Sequence, residues 1–372
     1  MLNRVTGLFR RRQRRTYDVL FVCSAEIDEI WIRSTAIACH RCGLTTSVVI
    51  CDQEGKRRDE LQALYDAAGA SFCAFAPFAD AADLTSQIVV TASSGLNRGV
   101  LPTRARYFVH MPHSLASLHV IYPADAFDGY DALFASGPHH TREFEALSMQ
   151  RELGDRPVFP VGYGKLDLLL RALEDHVPDR SEGDSRHVLL APSWGPDNLL
   201  DRLGPALVES LANKGYRVTI RPHPLFFLDD SPVLRTLTAL TERLDACTLE
   251  SPLVEDRAIL DADLLIGDYS GTSFEFAALR RKPVLSVDVG LKEVNPDWRQ
   301  LCHEPVEIAL REHIGAVAPP DIDAIIQSVE SLLSEPDIDD NTISAFLYAP
   351  ETRCADGATA AIKALLNASQ QV

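Results

Sequence analysis

Positive charge is scarce in this sequence: 36 lysines and arginines stand against 53 aspartates and glutamates, for a formal net charge of −17 over 372 residues. Nucleic-acid binding depends on clustered cations that meet the phosphates. The composition therefore predicts no nucleic-acid partner. Hydrophobic residues make up 46% of the chain and charged residues 24%, which is typical of a globular protein, and the length suits two domains.

A secretion signal is also lacking, since the N-terminus has neither the apolar core nor the cleavage site of a signal peptide. The eight cysteines are scattered along the chain. We therefore expect a reducing, cytoplasmic compartment and no disulfides. Cys39 and Cys42 form a lone C-x-x-C within a helical pattern. This pattern favours ordinary helix thiols, and a zinc or redox site is the alternative.

Acidic residues are missing from the first fifteen positions, which carry six arginines. Leu2, Val5, Leu8 and Phe9 would share one face of a helix there. This basic arm, residues 1–16, is predicted either to lie on the anionic inner face of the cell membrane or to be a disordered tail. It is too short and too charged to span a bilayer.

Short apolar runs alternate with helical patterns along the whole chain. The runs at 18–23 and 46–51 open the first series, and a second series starts at 187–191 after the polar stretch 179–186. Continuous β-rich runs between helices predict parallel sheets covered on both faces. We predict an α/β fold of two facing, doubly wound Rossmann-like domains with a central cleft. The expected boundaries are 17–178 and 186–345, followed by a C-terminal helix within 346–372.

The segment Gly267–Glu275 follows a predicted strand and opens a predicted helix. Exposed backbone N–H groups at a helix start bind phosphate favourably, and Glu275 could accept hydrogen bonds from ribose hydroxyls. The same residues also suit a simple capping box, formed by Thr272 and Glu275. The small residues at this helix start are Ser270, Gly271, Thr272 and Ser273.

Two histidines also follow predicted strands. His223 lies in Arg-Pro-His-Pro after the strand pattern 217–221, where it could donate to a phosphate, transfer a proton, or simply pack. His113 follows the strand pattern 107–111 and is favoured over His110, which falls inside that pattern, as a residue that faces the cleft.

A metal site from His110, His113 and His119 is conceivable, but no carboxylate completes a recognised spacing. No Asp-x-Asp pair suggests a bound cation either. We therefore predict no metal and no other cofactor.

Three further segments could contribute to the cleft. Ser193, in Ala-Pro-Ser-Trp-Gly, either faces a ligand or belongs to a turn. The glycines of Gly162–Asp167 suit a hinge or a close backbone approach, and Lys165 could reach a phosphate or face solvent. His139 and His140 begin a helix and are predicted to be structural.

The order of these segments resembles that of the CDP-glycerol glycerophosphotransferase family of teichoic-acid and capsule synthesis, whose members have the GT-B fold of two facing Rossmann-like domains. The resemblance covers most of Tyr107 to Asp288. In the second half the segments APSW, RPHP and LDADLLIGDYSGTSFEFAALRRKPVL stand in the family's order, before Asp288.

The resemblance implies a catalytic His113 and a phosphate-binding His223. It implies transfer of an alditol phosphate from a CDP-alditol to a lipid-linked or polysaccharide acceptor of the cell envelope, with release of CMP. The sequence departs from the family pattern at Gly271, where a second serine is usual. It departs again at Pro112 and Ser114, which replace the Trp and Gly around the catalytic histidine, and the Lys that ends that motif is absent. The implied donor-binding residues are Ser193, Arg221, Asp268, Ser270, Gly271, Thr272, Ser273 and Glu275.

Two alternatives belong to other function classes. One is a GT-B glycosyltransferase that uses a CMP-activated acidic sugar, of the sialyl or Kdo type, because such enzymes share a His-Pro pair and a Ser-rich helix start. The other is a catalytically idle fold that binds partners at the membrane through its basic arm. The sequence leaves three questions open: whether the alditol is glycerol or ribitol, whether the protein primes or polymerises, and what its oligomeric state is.

Overall fold

The computed structural model describes residues 16–368, apart from 52–56, 74–83, 102, 178–184, 228–230, 251–256, 302 and 349–352. The predicted basic arm, residues 1–16, lies outside the described residues except for Thr16, which begins the first strand. Most of the predicted linker 179–186 also lies outside them.

The first half forms a seven-stranded sheet in the order β3-β2-β1-β4-β5-β6-β7, in which all pairs are parallel. Its central strands are continuous apolar runs because helices cover both faces of the sheet. The strands are β1 (Thr16–Cys23), β2 (Thr46–Ile50), β3 (Ser71–Cys73), β4 (Thr85–Thr91), β5 (Tyr107–His110), β6 (Ala132–Ala135) and β7 (Val158–Pro160). The helices are α1 (Glu29–Arg41), α2 (Arg58–Ala67), α3 (Pro138–Gln150) and α4 (Gly164–Glu174).

The second half forms a six-stranded parallel sheet in the order β10-β9-β8-β11-β12-β13. Its strands are β8 (His187–Leu190), β9 (Arg217–Ile220), β10 (Cys247–Leu249), β11 (Leu264–Gly267), β12 (Val284–Val287) and β13 (Gly315–Ala318). The helices are α5 (Leu199–Asn213), α6 (Pro232–Arg243), α7 (Arg257–Asp261), α8 (Gly271–Arg280), α9 (Val306–Ala309), α10 (Ile322–Leu332), α11 (Asp340–Ser344) and α12 (Cys354–Ala368).

The predicted α/β architecture of two facing doubly wound sheets is confirmed. Every apolar run predicted as a strand forms one, with ends displaced by at most three residues. The strands that the pattern missed are β3, β10 and β13, which have three or four residues each. Their sequences, SFC, CTL and GAVA, contain Ser, Thr or Gly and therefore lack the continuous apolar run that marks the predicted strands.

The final helix α12 returns to the first half of the chain. Cys354, Ala358, Ile362 and Leu365 are buried in the same cluster as Val19 and Phe21 of β1. The halves also share a buried core, since Leu115 and Tyr163 pack in one cluster with residues of the second sheet. The two sheets are therefore joined by apolar packing as well as by the chain.

Glycine allows two helices of the first half, α1 and α4, to approach closely. A Cβ atom at Gly164 would overlap the carbonyl oxygen of Trp31 on α1. Of the two predicted interpretations of Gly162–Asp167, the structure thus shows a close backbone approach. The segment opens a helix that the sequence analysis missed.

Candidate functional site

A cavity of about 210 Å³ lies between the two halves, where the carboxyl ends of the parallel strands meet. Most of the predicted site residues line it: His113, Ser193, Arg221, His223, Ser270, Gly271, Thr272 and Glu275. Asp268 and Ser273 do not.

His113 lies just after β5 and is oriented by two partners. Its Nδ1 atom is 2.8 Å from the carbonyl oxygen of Ala92, which can only accept, so Nδ1 carries the proton. In the neutral ring Nε2 then has a free lone pair, and the Tyr122 hydroxyl donates to it at 3.2 Å. Trp31 packs edge-on against the ring at 5.4 Å between centroids. The ring is therefore a preoriented proton acceptor at the cavity wall.

His223 has the opposite tautomer. The backbone N–H of Leu225 donates to its Nδ1 at 3.2 Å, so in the neutral ring Nε2 carries the proton. Burial, with the nearby Lys292 and His113, lowers the pKa of His223 to about 3. His223 is thus a neutral ring that offers an N–H group to the cavity near neutral pH.

The start of α8 forms the floor of the same cavity. Ser270 is the N-cap residue, and its hydroxyl accepts from the Thr272 N–H at 3.3 Å. The predicted capping box between Thr272 and Glu275 is wrong, because the cap lies two residues earlier. Ser273 is turned inward: it is buried, and its hydroxyl has no partner in the part of the chain that the structure describes. A direct donor contact from Ser273 is therefore not supported.

Asp268 lies outside the cavity lining and contacts the backbone of residues next to it. Its carboxylate is buried and accepts from the backbone N–H groups of Ser193 at 2.6 Å and Leu199 at 3.1 Å. Burial raises the pKa of Asp268, and these backbone bonds oppose that shift. The expectation that Asp268 touches the donor is corrected: it holds the loop that presents Ser193.

Arg221 and Glu275 line the cavity but are already paired. Arg221 donates to Glu250 at 2.9 Å, and both side chains are buried. Glu275 accepts from Tyr163 at 2.6 Å and from Lys165, also at 2.6 Å. Because Lys165 and Tyr163 belong to the first half of the chain, Glu275 connects the two walls of the cavity.

The remaining histidines lie outside the cavity lining. His110 is fully buried between Phe127 and Tyr130, and burial lowers its pKa well below the usual value. It cannot reach the cavity, so the alternative of His110 as the base is wrong. His139 and His140 bond to the carbonyl oxygens of residues 115 and 116 at 2.9 Å each, which agrees with the predicted structural role.

No group of three or more His, Cys, Asp or Glu side chains among the described residues is arranged to hold a metal ion. The acidic pair before β11 has other contacts. Asp261 bonds to His176 at 2.6 Å, and Asp263 accepts from the His187 N–H at 2.8 Å. Cys39 is buried beside Thr359, whereas Cys42 is exposed, so the two thiols lie in different environments.

Comparisons with known proteins place this geometry in a known fold. UDP-N-acetylglucosamine 2-epimerase from Neisseria meningitidis, bound to UDP-GlcNAc, is 14% identical with a TM-score of 0.61, over 95% of this chain and all (100%) of that one. The wall teichoic acid polymerase TagF is 11% identical with a TM-score of 0.54, over 95% and 90% of the two chains. A glycosyltransferase from Rickettsia africae is 14% identical with a TM-score of 0.55, over 95% and 99%.

The chain has a GT-B-like fold. No protein-family model matches the sequence, and no curated protein matches it. At these identities the similarity shows the fold alone. No helix in the described ranges is both long and apolar enough to cross a membrane.

Several residues of this GT-B cleft were missed by the sequence analysis. On the first half, Ile27, Ile30 and Trp31 line the cavity next to His113. On the second half, Trp194 and Lys292 line it, and the Lys292 ammonium lies 2.8 Å from the centroid of the Trp194 ring. Lys292 lies several residues beyond β12, so its place after a strand was only a weak signal.

A second connection between the halves lies behind the cavity. The carboxylate of Glu307 on α9 accepts from the backbone N–H of Ser117 at 2.9 Å and from its hydroxyl at 2.5 Å. The backbone N–H groups of Val294 and Asn295 both donate to the carbonyl oxygen of Val120, at 2.9 and 3.1 Å. This region holds the segment that carries His113 against the second half.

We expect Glu307→Ala to lower the free energy of unfolding by about 2 kcal/mol, because it leaves two buried donors of Ser117 without a partner. Thermal or urea denaturation measures this loss. Glu330→Ala is the matched control, since it breaks the exposed pair with Lys214 and should change the melting temperature little. Equal stability of Glu307→Ala and the wild type would contradict the importance of this connection.

Proposed function

We propose that this protein is a transferase that moves an alditol phosphate from a CDP-activated donor to a hydroxyl group of a cell-envelope acceptor. The observation that carries the proposal is the complementary protonation of two histidines in one cavity. His113 presents an unprotonated Nε2, and His223 presents an Nε2–H group. One can accept a proton from an attacking hydroxyl while the other donates to a phosphate oxygen.

The proposed reaction is a single displacement at the distal phosphorus of the donor. The acceptor oxygen forms the new P–O bond, and its proton goes to Nε2 of His113. The bond between the distal phosphorus and the bridging oxygen breaks, and CMP leaves with the electron pair. Tyr122, which occupies the hydrogen-bonding position at Nε2, is displaced by the acceptor hydroxyl.

The second half of the cavity binds the phosphates in this proposal. His223 and the start of α8 line the same cavity, and Ser270 and Thr272 add hydroxyls. Donors fixed before the reaction stabilise the charge that develops on the leaving phosphate. Gly271 lets the ligand approach the backbone closely.

Other predicted residues have supporting roles. Asp268 holds Ser193, and Arg221 is fixed by Glu250 at the base of the His223 loop. We assign Glu275 to joining the cavity walls through Lys165 rather than to the ribose, because its oxygens are already bonded. The apolar side chains near Trp31 form the wall along which the acceptor enters.

Two similar structures support separate parts of the proposal. The Neisseria meningitidis epimerase structure contains UDP-GlcNAc, which supports a nucleotide-activated donor, and TagF is a wall teichoic acid polymerase, which supports a cell-envelope acceptor. The resemblance to the CDP-glycerol glycerophosphotransferase family is what favours cytidine over uridine and an alditol phosphate over a sugar. Attachment to the inner membrane face through residues 1–15 is part of the same proposal.

The proposal predicts release of CMP from CDP-glycerol or CDP-ribitol, together with a phosphodiester on the acceptor. The experiment incubates the protein with each CDP-alditol, with CMP-activated acidic sugars and with UDP-GlcNAc, in the presence of membrane-derived acceptors. Mass analysis then identifies both the free nucleotide and the extended acceptor.

Each other outcome contradicts the proposal in a specific way. A glycoside formed from a CMP-sugar would identify the sialyl- or Kdo-type alternative, and an epimerised UDP-sugar would identify an isomerase. A ligand at 100 times its Kd adds about 2.7 kcal/mol of stability. The absence of any thermal stabilisation by CMP, CDP or CDP-glycerol would therefore indicate the idle, partner-binding fold.

A further inference from the structure

The positive charges of the cavity are unequally compensated. Three described lysine and arginine side chains line it: Lys165, Arg221 and Lys292. Lys165 is paired with Glu275 at 2.6 Å, and Arg221 with Glu250 at 2.9 Å. His223 is neutral near pH 7, because its pKa is lowered to about 3. Among the described lysine and arginine side chains of the lining, Lys292 is therefore the one whose charge no carboxylate compensates.

The ammonium group of Lys292 rests on an aromatic ring instead of a carboxylate. It lies 2.8 Å from the centroid of the Trp194 ring, and no described carboxylate forms an ion pair with it. Its side-chain carbons pass 3.8 Å from the Cβ position of Gly195, whose φ of +126° favours glycine. The aliphatic part of the Lys292 side chain, which comes from the segment after β12, therefore packs against the segment that follows β8.

The charged groups that face Lys292 do not neutralise it. Burial lowers the pKa of Lys292 to about 8, and the carboxylate of Asp268 only partly opposes this shift. Asp268 already accepts two backbone N–H bonds. Asp197 and Glu293 line the neighbouring cavity behind the ring, and Glu293 is paired with Arg299 at 2.5 Å.

A partly buried cation without a counter-ion is unfavourable, and a bound anion would remove that cost. Neutral His223 offers a directional hydrogen bond but no charge, and the helix start offers partial charge only. The site proposed above must nevertheless bind a donor with two phosphates. A full positive charge is missing from the site as long as Lys292 stays on the ring.

We propose that Lys292 is a donor-binding residue whose ammonium leaves the face of Trp194 and pairs with the donor's phosphates when the nucleotide binds. This inference rests on the proposed nucleotide site and adds to it the group that supplies the charge. Trp194 acts as the resting position of the ammonium through a cation–π contact. Lys292 would also stabilise the phosphate of the departing CMP.

The test compares binding of CDP, inorganic pyrophosphate and cytidine to the wild type, Lys292→Met and Lys292→Arg by calorimetry. We expect Lys292→Met to weaken CDP and pyrophosphate binding at least about tenfold, with a smaller effect on cytidine, which has no phosphate. Lys292→Arg keeps the charge and should bind CDP within about threefold of the wild type. Lys214→Met is the matched control, because Lys214 lies on the surface in a pair with Glu330.

A pH series separates lost charge from lost packing. The terminal phosphate of CDP, with a pKa near 6, is ionised throughout the range from about pH 7.5 to 9.5. Since the pKa of Lys292 is about 8 in the free protein, the wild-type affinity should fall as pH rises through that value. The affinities of Lys292→Met and Lys292→Arg should stay flat.

The outcomes distinguish this inference from the proposed function. If the wild type binds CDP and Lys292→Met binds it equally tightly, or loses cytidine to the same extent, the role of Lys292 is wrong while the nucleotide site stands. If the wild type binds neither CDP nor pyrophosphate, both proposals are overturned.

Discussion

Replacing His113 with alanine lowers kcat by about 10²- to 10⁴-fold, the range that a positioned general base contributes. The reason is geometric: Ala92 fixes the proton on Nδ1, so Nε2 is the atom that takes the proton of the acceptor. CDP binding should stay within about threefold of the wild type, because the donor contacts come from the second half of the chain. Steady-state assays and calorimetry measure the two effects separately.

Tyr122→Phe is the control for this variant. It removes the hydroxyl that donates to Nε2 but leaves the ring and its bond to Ala92. We expect a loss in kcat below about tenfold, since the acceptor hydroxyl replaces Tyr122 during the reaction. A His113→Ala protein with kcat within tenfold of the wild type would exclude His113 as the base.

The fold was predictable because its signal is local. The central strands are apolar runs and the helices between them are amphipathic, so the two parallel sheets follow from periodicity alone. The site residues that come shortly after apolar strands, such as Ser193 and His223, were predictable for the same reason.

The remaining site residues depend on contacts between distant parts of the chain. Lys165 pairs with Glu275, a residue 110 positions away, and no local pattern indicates which surface the start of α4 faces. Lys292 lies in a loop several residues beyond β12, where the distance from the strand end hides its position at the cavity. The sequence analysis assigned Asp268 to the donor, whereas the structure shows it bonded to the backbone of Ser193 and Leu199, partners that are visible only in three dimensions.

The two departures from the CDP-glycerol glycerophosphotransferase pattern meet at one point of the structure. Gly271 stands where a second serine is usual, and Ser114 stands where a glycine follows the catalytic histidine. A Cβ atom at Gly271 would overlap the hydroxyl oxygen of Ser114, which also accepts from the Ala116 N–H at 3.1 Å. We interpret these two differences as one compensated change. The serine side chain stands on the His113 wall of the cavity, at Ser114, instead of on the α8 wall, at Gly271.

This interpretation predicts strong coupling between the two positions. Gly271→Ser should lower kcat/KM by about tenfold, because its Cβ displaces the Ser114 hydroxyl beside His113 in a site where a shift of 1 Å is costly. Ser114→Gly alone removes the obstacle and should cost less. The double variant should recover most of the activity that Gly271→Ser loses, and kcat/KM for all four proteins gives the coupling free energy.

The matched control for the cycle is Gly95→Ser, which adds the same side chain at an exposed position with no atom within 4 Å. Its kcat/KM should stay close to that of the wild type, with or without Ser114→Gly. If the effects of Gly271→Ser and Ser114→Gly simply multiply in the double variant, the two departures are independent and the walls do not meet as described. Recovery in the double variant would instead mean that Ser114 and Gly271 form a single contact across the cleft, which holds the base opposite the phosphate-binding helix.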